Sequence, residues 1–263
     1  MRENKLRQIW QSGEAVLNGW LHIGHAYAAE MMAHEGWDSL TIDMQHGPVG
    51  FESAVSMLQA ICTTDTVPMA RVPWNEPGVI MRMLDAGCYA IICPMINSRA
   101  ECEAFVGACH YPPHGYRSHG PNRARLYGGS DYASKANDIV VTMAMIETAD
   151  AMQNLDDILT TPGLDAIYVG PADLSRSLGG PPDGDLNKPL VADALDHILA
   201  ACQQHGIVPG IHTGSAQLAT QMIDKGFQFV TVSSDAGLLA AKASEVVTAV
   251  KGHQPAPAAT GPY

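Results

Sequence analysis

Eight apolar runs of strand length, each followed by a segment with helical spacing, constrain this chain more than any other feature. The runs fall at 16–23, 39–44, 67–72, 90–96, 139–147, 166–170, 207–212 and 229–233. The helical segments fall at 25–35, 51–62, 76–86, 98–109, 149–160, 191–205, 215–225 and 237–251. Several runs are apolar almost throughout, as parallel strands covered on both faces must be. Strand and helix alternate to the end, and eight such units is the number that closes a TIM barrel. The expected fold is α/β, a single-domain (β/α)8 TIM barrel. The 263 residues suit one such domain, and no linker divides them.

Local signals agree with these limits. Ser98 precedes a first turn containing Glu101, and Asn75-Glu76-Pro77 offers Asn75 as a cap ahead of a first-turn proline. Gly36, Gly87, Gly206 and Gly226 follow their helices as stops. Two segments break the rhythm. Residues 111–138 form a long Gly-, His- and Arg-rich excursion, of a length that usually marks a functional loop or an interface. Residues 181–189 form a shorter polar loop. The barrel domain is expected to span 1–253, with a disordered Pro/Ala-rich tail over 254–263.

With 46% apolar and 16% charged residues the chain is expected to bury a substantial core. A formal charge of −12 and the lack of any basic stripe argue against nucleic-acid binding. The six cysteines lie mostly in apolar stretches without a CxxC pair, which reads as buried reduced thiols. No apolar run reaches membrane-spanning length and the start is polar, so a cytoplasmic location is expected.

In a TIM barrel the chemistry lies at the carboxyl ends of the strands. Those ends carry Trp20 and His22, then Asp43, Gln45 and His46, then Arg71, Glu147, Asp173, His212 and finally Ser233, Ser234 and Asp235. Glu147 and Asp173 offer only oxygen ligands, which suits Mg²⁺, Mn²⁺ or Co²⁺. Equally, Glu147 pairing with an arginine and Asp173 capping a helix would explain both acids. Asp43 orienting His46 would make a general base, against the alternative of an exposed loop histidine. Arg71, at the end of its strand, would hold a carboxylate or polarise a keto oxygen, or else form an ion pair. Trp20 would wall the pocket or simply pack. Backbone N–H groups around Gly170, Pro171, Ala172 and Asp173 would face an anion, as at other helix starts.

Together these segments resemble the HpcH/HpaI aldolase family, the metal-dependent class II pyruvate aldolases. The resemblance rests on IDMQHGP (42–48), ARVPWNEP (70–77), MLDAG (83–87), YPPHGYR (111–117), IET (146–148) and GPADLS (170–175), and covers nearly the whole chain. It implies reversible cleavage of 4-hydroxy-2-oxo acids to pyruvate, or a close analogue, and an aldehyde. It also implies a homo-oligomer, a hexamer built as a trimer of dimers with the last helix exchanged. By position Glu147 and Asp173 match the metal ligands, and His46 the base partnered by Asp43. Arg71 matches the group on the keto acid, and Asp85 matches a residue that reaches a neighbouring subunit's site. Gly170 to Asp173 would bind the substrate carboxylate.

Departures from the family fall at Gln45, where Glu is common, at His22 and His25, where small or hydroxyl residues are common, and at 118–132. They are expected to surround the aldehyde or the methyl end of pyruvate. The two histidines hint at a hydroxylated nucleophile such as hydroxypyruvate. No lysine lies in any strand run, which speaks against a Schiff base. Two rivals stand beside the aldolase: a decarboxylase or lyase acting on a 2-oxo acid such as oxaloacetate, and a barrel that binds metabolites without turnover.

Overall fold

All eight runs become strands: β1 (Val16–Leu21), β2 (Ser39–Asp43), β3 (Val67–Arg71), β4 (Ala90–Cys93), β5 (Val141–Ile146), β6 (Ala166–Val169), β7 (Val208–Thr213) and β8 (Phe229–Ser234). In the computed structural model, which describes residues 1–252, they pair in parallel and in sequence order, and β8 closes on β1. Closure leaves no free sheet edge, and nearly every strand residue is buried, which is why the runs are so uniformly apolar. Residues 22–23 and 94–96, expected in strands, lie beyond the carboxyl ends of β1 and β4. The expected tail from 254 lies outside the described residues.

The helices are α1 (Lys5–Gln11), α2 (Ala26–Ala33), α3 (Phe51–Ile61), α4 (Pro77–Asp85), α5 (Arg99–Cys109), α6 (Ala124–Gly128), α7 (Tyr132–Ile139), α8 (Ala149–Gln153), α9 (Leu155–Leu159), α10 (Pro171–Ser177), α11 (Pro189–His205), α12 (Ala216–Lys225) and α13 (Asp235–Lys251). Ser98 caps α5 as expected, its hydroxyl accepting from the Glu101 amide. The cap of α4 is Glu76 rather than Asn75, because the Glu76 carboxylate accepts from the amides of both Gly78 and Val79. The single helix expected over 149–160 is two, α8 and α9. Asn154, at the break, donates its side chain to the Asn97 carbonyl.

The excursion over 111–138 is not a loop at the barrel mouth. It folds into α6 and α7, which meet the amino terminus at the opposite end. The Arg2 amide donates to Gly128, and the Asn4 side chain donates to the carbonyls of Tyr89, just before β4, and Ile139. This floor also holds Asp85. The residue ends α4, where the chain turns back toward β4, and its carboxylate accepts from Arg117 at 2.7 Å. Arg117 is buried and stacks over Tyr111, its guanidinium carbon 4.5 Å from the ring centre.

Inward-facing side chains divide the barrel in two. Met69, Ile92, Met143 and Met145, from β3 to β5, are apolar. Asn18, Ser39, Thr41, Tyr168, His212 and Thr231, from β1, β2 and β6 to β8, are polar and hydrogen-bonded to one another.

Candidate active site

The alternation of β1 and β2 aims Trp20 and Asp43 inward at the carboxyl end, and β3 brings Arg71 beside them, in register with Asp43. Asp43 is the hub. Arg71 grips it with two donors, Nε to Oδ1 at 2.9 Å and Nη2 to Oδ2 at 2.6 Å. Trp20 Nε1 donates to Oδ2 at 3.2 Å, and the amides of Gln45 and His46 donate to Oδ1 at 3.1 and 3.3 Å. Burial alone would raise this carboxyl, but the His22 and Arg71 bonds hold it far below the usual carboxylate range. The Arg71 guanidinium lies over the Trp20 ring, 4.8 Å from its centre, so its plane is fixed on two sides. A fixed fork beside an ionised partner is pre-organised to present its remaining N–H groups to an oxygen.

Two histidines meet Asp43: His22 Nε2 lies 2.8 Å from Oδ2, and the His46 backbone amide donates to Oδ1. The His46 side chain lies in the mouth, where partial burial and the Arg71 charge lower its pKa against the opposing pull of Asp43 and Asp173. A neutral imidazole near neutral pH follows, as a general base needs. His25 has a local role: its ring caps α2, accepting from the Tyr27 amide.

Glu147 follows β5 and is almost wholly buried. Its Oε1 accepts from the Met95 amide at 2.8 Å. Met95 holds φ at 56°, a strained value for a side-chain-bearing residue, and aims its N–H at this carboxylate. Burial pushes the Glu147 pKa up to about 7, and the negative charge of Asp173 adds to the effect, while the Met95 amide and Arg71 oppose it. Gly170 explains how the two acids come close. A Cβ at that position would lie 2.7 Å from Glu147 Oε2, so a larger residue at the start of α10 would push the Glu147 carboxylate from its place. Pro171 then begins α10, and half-buried Asp173 occupies its first turn.

Burial and the nearby Asp173 charge oppose ionisation of Glu147, and two adjoining carboxylates offer the oxygen ligands that suit a hard divalent cation. Among the described residues no group of three or more His, Cys, Asp and Glu converges on one point. Asp85 is remote from this cluster, on the floor of its own barrel.

The sequence pattern missed three parts of the site. His22 was legible only as a strand-end histidine; its bond to Asp43 depends on the β1–β2 register. The Met95 amide leaves no side-chain signature. The His212 contact with Tyr168 crosses strands whose partners lie 44 residues apart.

A parallel barrel that gathers a gripped arginine, a mouth histidine and two adjoining acids at its carboxyl end is built as an enzyme. Residues 18–241 match the HpcH/HpaI aldolase/citrate lyase family, and the chain belongs to it, a family of carbon–carbon lyases. It is 41% identical over 244 residues to the hydroxypyruvate/pyruvate aldolase of Rhizorhabdus wittichii, covering 93% of this chain and 97% of that one. It is 35% identical over 264 residues to the 4-hydroxy-2-oxo-heptane-1,7-dioate aldolase of Escherichia coli, covering 99% and 100%. Among solved structures, an HpcH/HpaI aldolase/citrate lyase family protein from Burkholderia cenocepacia superposes with a TM-score of 0.88 at 34% identity, covering 94% of this chain and 99% of that one.

Proposed function

We propose that this chain catalyses the reversible aldol cleavage of a 4-hydroxy-2-oxo acid to a pyruvate-type 2-oxo acid and an aldehyde. The observation that carries the reading is the convergence of Arg71, fixed by Asp43 and Trp20, with the adjoining acids Glu147 and Asp173. Glu147 and Asp173 would hold a divalent cation, Mg²⁺, Mn²⁺ or Co²⁺, which when bound supplies charge neutralisation at the 2-oxo oxygen. Arg71 donates to that same oxygen, where negative charge develops as the C3–C4 bond breaks. His46 removes the proton from the 4-hydroxyl, the C4 carbon departs as the aldehyde, and the bonding pair passes to the enolate, which is then protonated at C3. In the reverse direction His46 removes the C3 proton. Amides of the turn from Gly170 to Asp173, Pro171 excepted because it has no N–H, hold the C1 carboxylate. The strands contain no lysine, in keeping with a route that needs no Schiff base.

Self-association is part of the reading. The exposed Leu239, Val246 and Val250 of α13, together with outward-facing Leu17 of β1, favour a homo-oligomer, and a hexamer is proposed. In such an assembly Asp85 would serve the site of a neighbouring copy. No helix among the described residues is long and apolar enough to cross a membrane. Six unpaired cysteines favour a reducing, cytoplasmic setting.

The test is C3 proton exchange on pyruvate, followed by NMR after chelation and add-back of each metal. Exchange that depends on added metal and disappears in Glu147→Gln supports the reading; metal-dependent exchange that survives in this variant removes Glu147 from it. Oxaloacetate decarboxylation would pass through the same enolate without a base at a 4-hydroxyl. His46→Ala separates the two, because it should abolish aldehyde release and spare carbon dioxide release.

A further inference from the structure

Asp235 is a buried carboxylate to which the mechanism above gives no task. It stands in the first turn of α13, 5% exposed, and backbone amides are its partners. Oδ1 accepts from the amides of His22 and Ala236, each at 2.8 Å, and Oδ2 accepts from the Ile23 amide at 3.1 Å. Capping does not explain it. Ser234 already caps α13, its hydroxyl accepting from the Gly237 amide at 3.1 Å. What Asp235 holds is the end of another strand. β1 stops at Leu21, so the N–H groups of His22 and Ile23 lie past its last strand pair, and this one carboxylate takes both.

The backbone is bent to bring it there. One residue separates Asn18 from Trp20 on β1, but two separate their partners Thr231 and Ser234 on β8. The extra residue makes a bulge, and Ser233 within it holds φ at 53°, left-handed and strained for a serine. Strain of this kind persists only where the surroundings hold it, and it gathers at functional sites. Here it carries the start of α13 across the end of β1.

From His22 the line runs to Arg71. The His22 amide is fixed by Asp235, and its Nε2 lies 2.8 Å from Asp43 Oδ2, the oxygen that also accepts from Arg71 Nη2 at 2.6 Å. We propose that Asp235 is a positioning residue. By fixing the His22 backbone it holds the imidazole on Asp43, and with it the Asp43–Arg71 pair in the orientation that meets the 2-oxo oxygen. The proposal rests on the aldol reading and adds to it a residue that touches no substrate.

The test is a double-mutant cycle on C3 proton exchange of pyruvate by the metal-loaded enzyme, followed from limiting to saturating pyruvate. An oriented Arg71 acts where charge develops, so loosening it lowers kcat and leaves KM nearly as it was. Asp235→Ala should lower kcat about tenfold, the worth of one hydrogen bond to a charged group. His22→Ala should lower it by a similar factor. In the His22→Ala background, Asp235→Ala should then cost less than about twofold more, because residues that act through one another are not additive. Ser234→Ala, which removes only the cap of the same helix, should lower Tm and leave kcat unchanged. Should Asp235→Ala not fold, Asp235→Asn takes its place in the cycle. Its one oxygen replaces two, and its smaller loss should likewise vanish in the His22→Ala background. An unchanged kcat in the Asp235 variant, a loss confined to KM, or the same factor of loss with and without the His22 side chain overturns the proposal. Absence of exchange by the unmodified, metal-loaded enzyme instead overturns the aldol reading itself.

Discussion

The molecule contains two buried arginine–aspartate pairs, one at each end of the barrel, and they are built to different standards. At the carboxyl end Asp43 is fully buried and receives both donors of Arg71, the indole of Trp20, two backbone amides and the His22 ring. At the floor Asp85 is 27% exposed and receives Arg117 through one nitrogen, while Nε of Arg117 has no partner. Both arginines rest on aromatic rings. Satisfying every donor around Asp43 fixes Arg71 in one orientation, as a group that must meet a substrate oxygen requires. Asp85, with solvent on one side, keeps a free edge, which is compatible with the proposed service to a neighbouring copy.

Breaking the upper pair should have the largest effect. Asp43→Ala leaves a buried guanidinium without its counter-charge. It should cost about 3–5 kcal/mol in chemical denaturation, and it releases Arg71 from its orientation. The retained kcat should fall by about a thousandfold, the scale of losing a pre-organised electrostatic donor. Near-normal turnover in this variant would end the claim that Asp43 orients Arg71.

Mixing sharpens the contrast further. Arg71→Ala subunits and Asp85→Ala subunits should each be inactive alone. Co-refolded in equal amounts, they should regain part of the activity, because some sites then combine an intact upper pair with an intact Asp85 from a neighbour. Absence of any rescue in assembled mixtures would return Asp85 to a purely local role.

The lower pair alone should matter less. Arg117→Leu removes a charge from the floor without stranding a buried carboxylate, since Asp85 still meets water. About 1–3 kcal/mol of stability is expected to be lost, read as a drop in Tm.

The smaller tests concern two histidines, His46 in the mouth and His25 at the cap of α2. The His46 pKa lies below the ordinary 6.5, so the neutral ring persists to lower pH than for a free histidine. Cleavage should fall only as pH drops through that lowered value, and a kcat/KM profile whose acid limb lies above 6.5 would contradict the assignment. His25→Ala should cost about 1 kcal/mol, the worth of one helix cap, and leave rates unchanged.

How much of this was legible in the sequence depends on the range over which each feature is determined. The strands were legible because burial on both faces demands apolar residues at every position. Their ends were less so, since Ile23 and Ile96 are apolar yet lie in the mouth loops. Glu147, Arg71 and Asp43 could be found by position because each lies at or next to the end of its own strand. The second histidine on Asp43 could not, because His22 reaches it only through the β1–β2 register. The expected place of 118–132 around the substrate failed for a related reason: contacts of Gly128 with Arg2, of α7 with Asn4 and of Arg117 with Asp85 draw the excursion to the floor.

The missing methyl at Gly170 has a consequence for how this site can be altered, by evolution or in the laboratory. With Glu147 Oε2 only 2.7 Å from where a Cβ would be, any side chain at 170 displaces the end of the Glu147 side chain. A change at 170 is thus read out as a change in the acid, whereas a change at the opposite side of the mouth leaves Glu147 where it is. Libraries aimed at new nucleophiles belong on that second side.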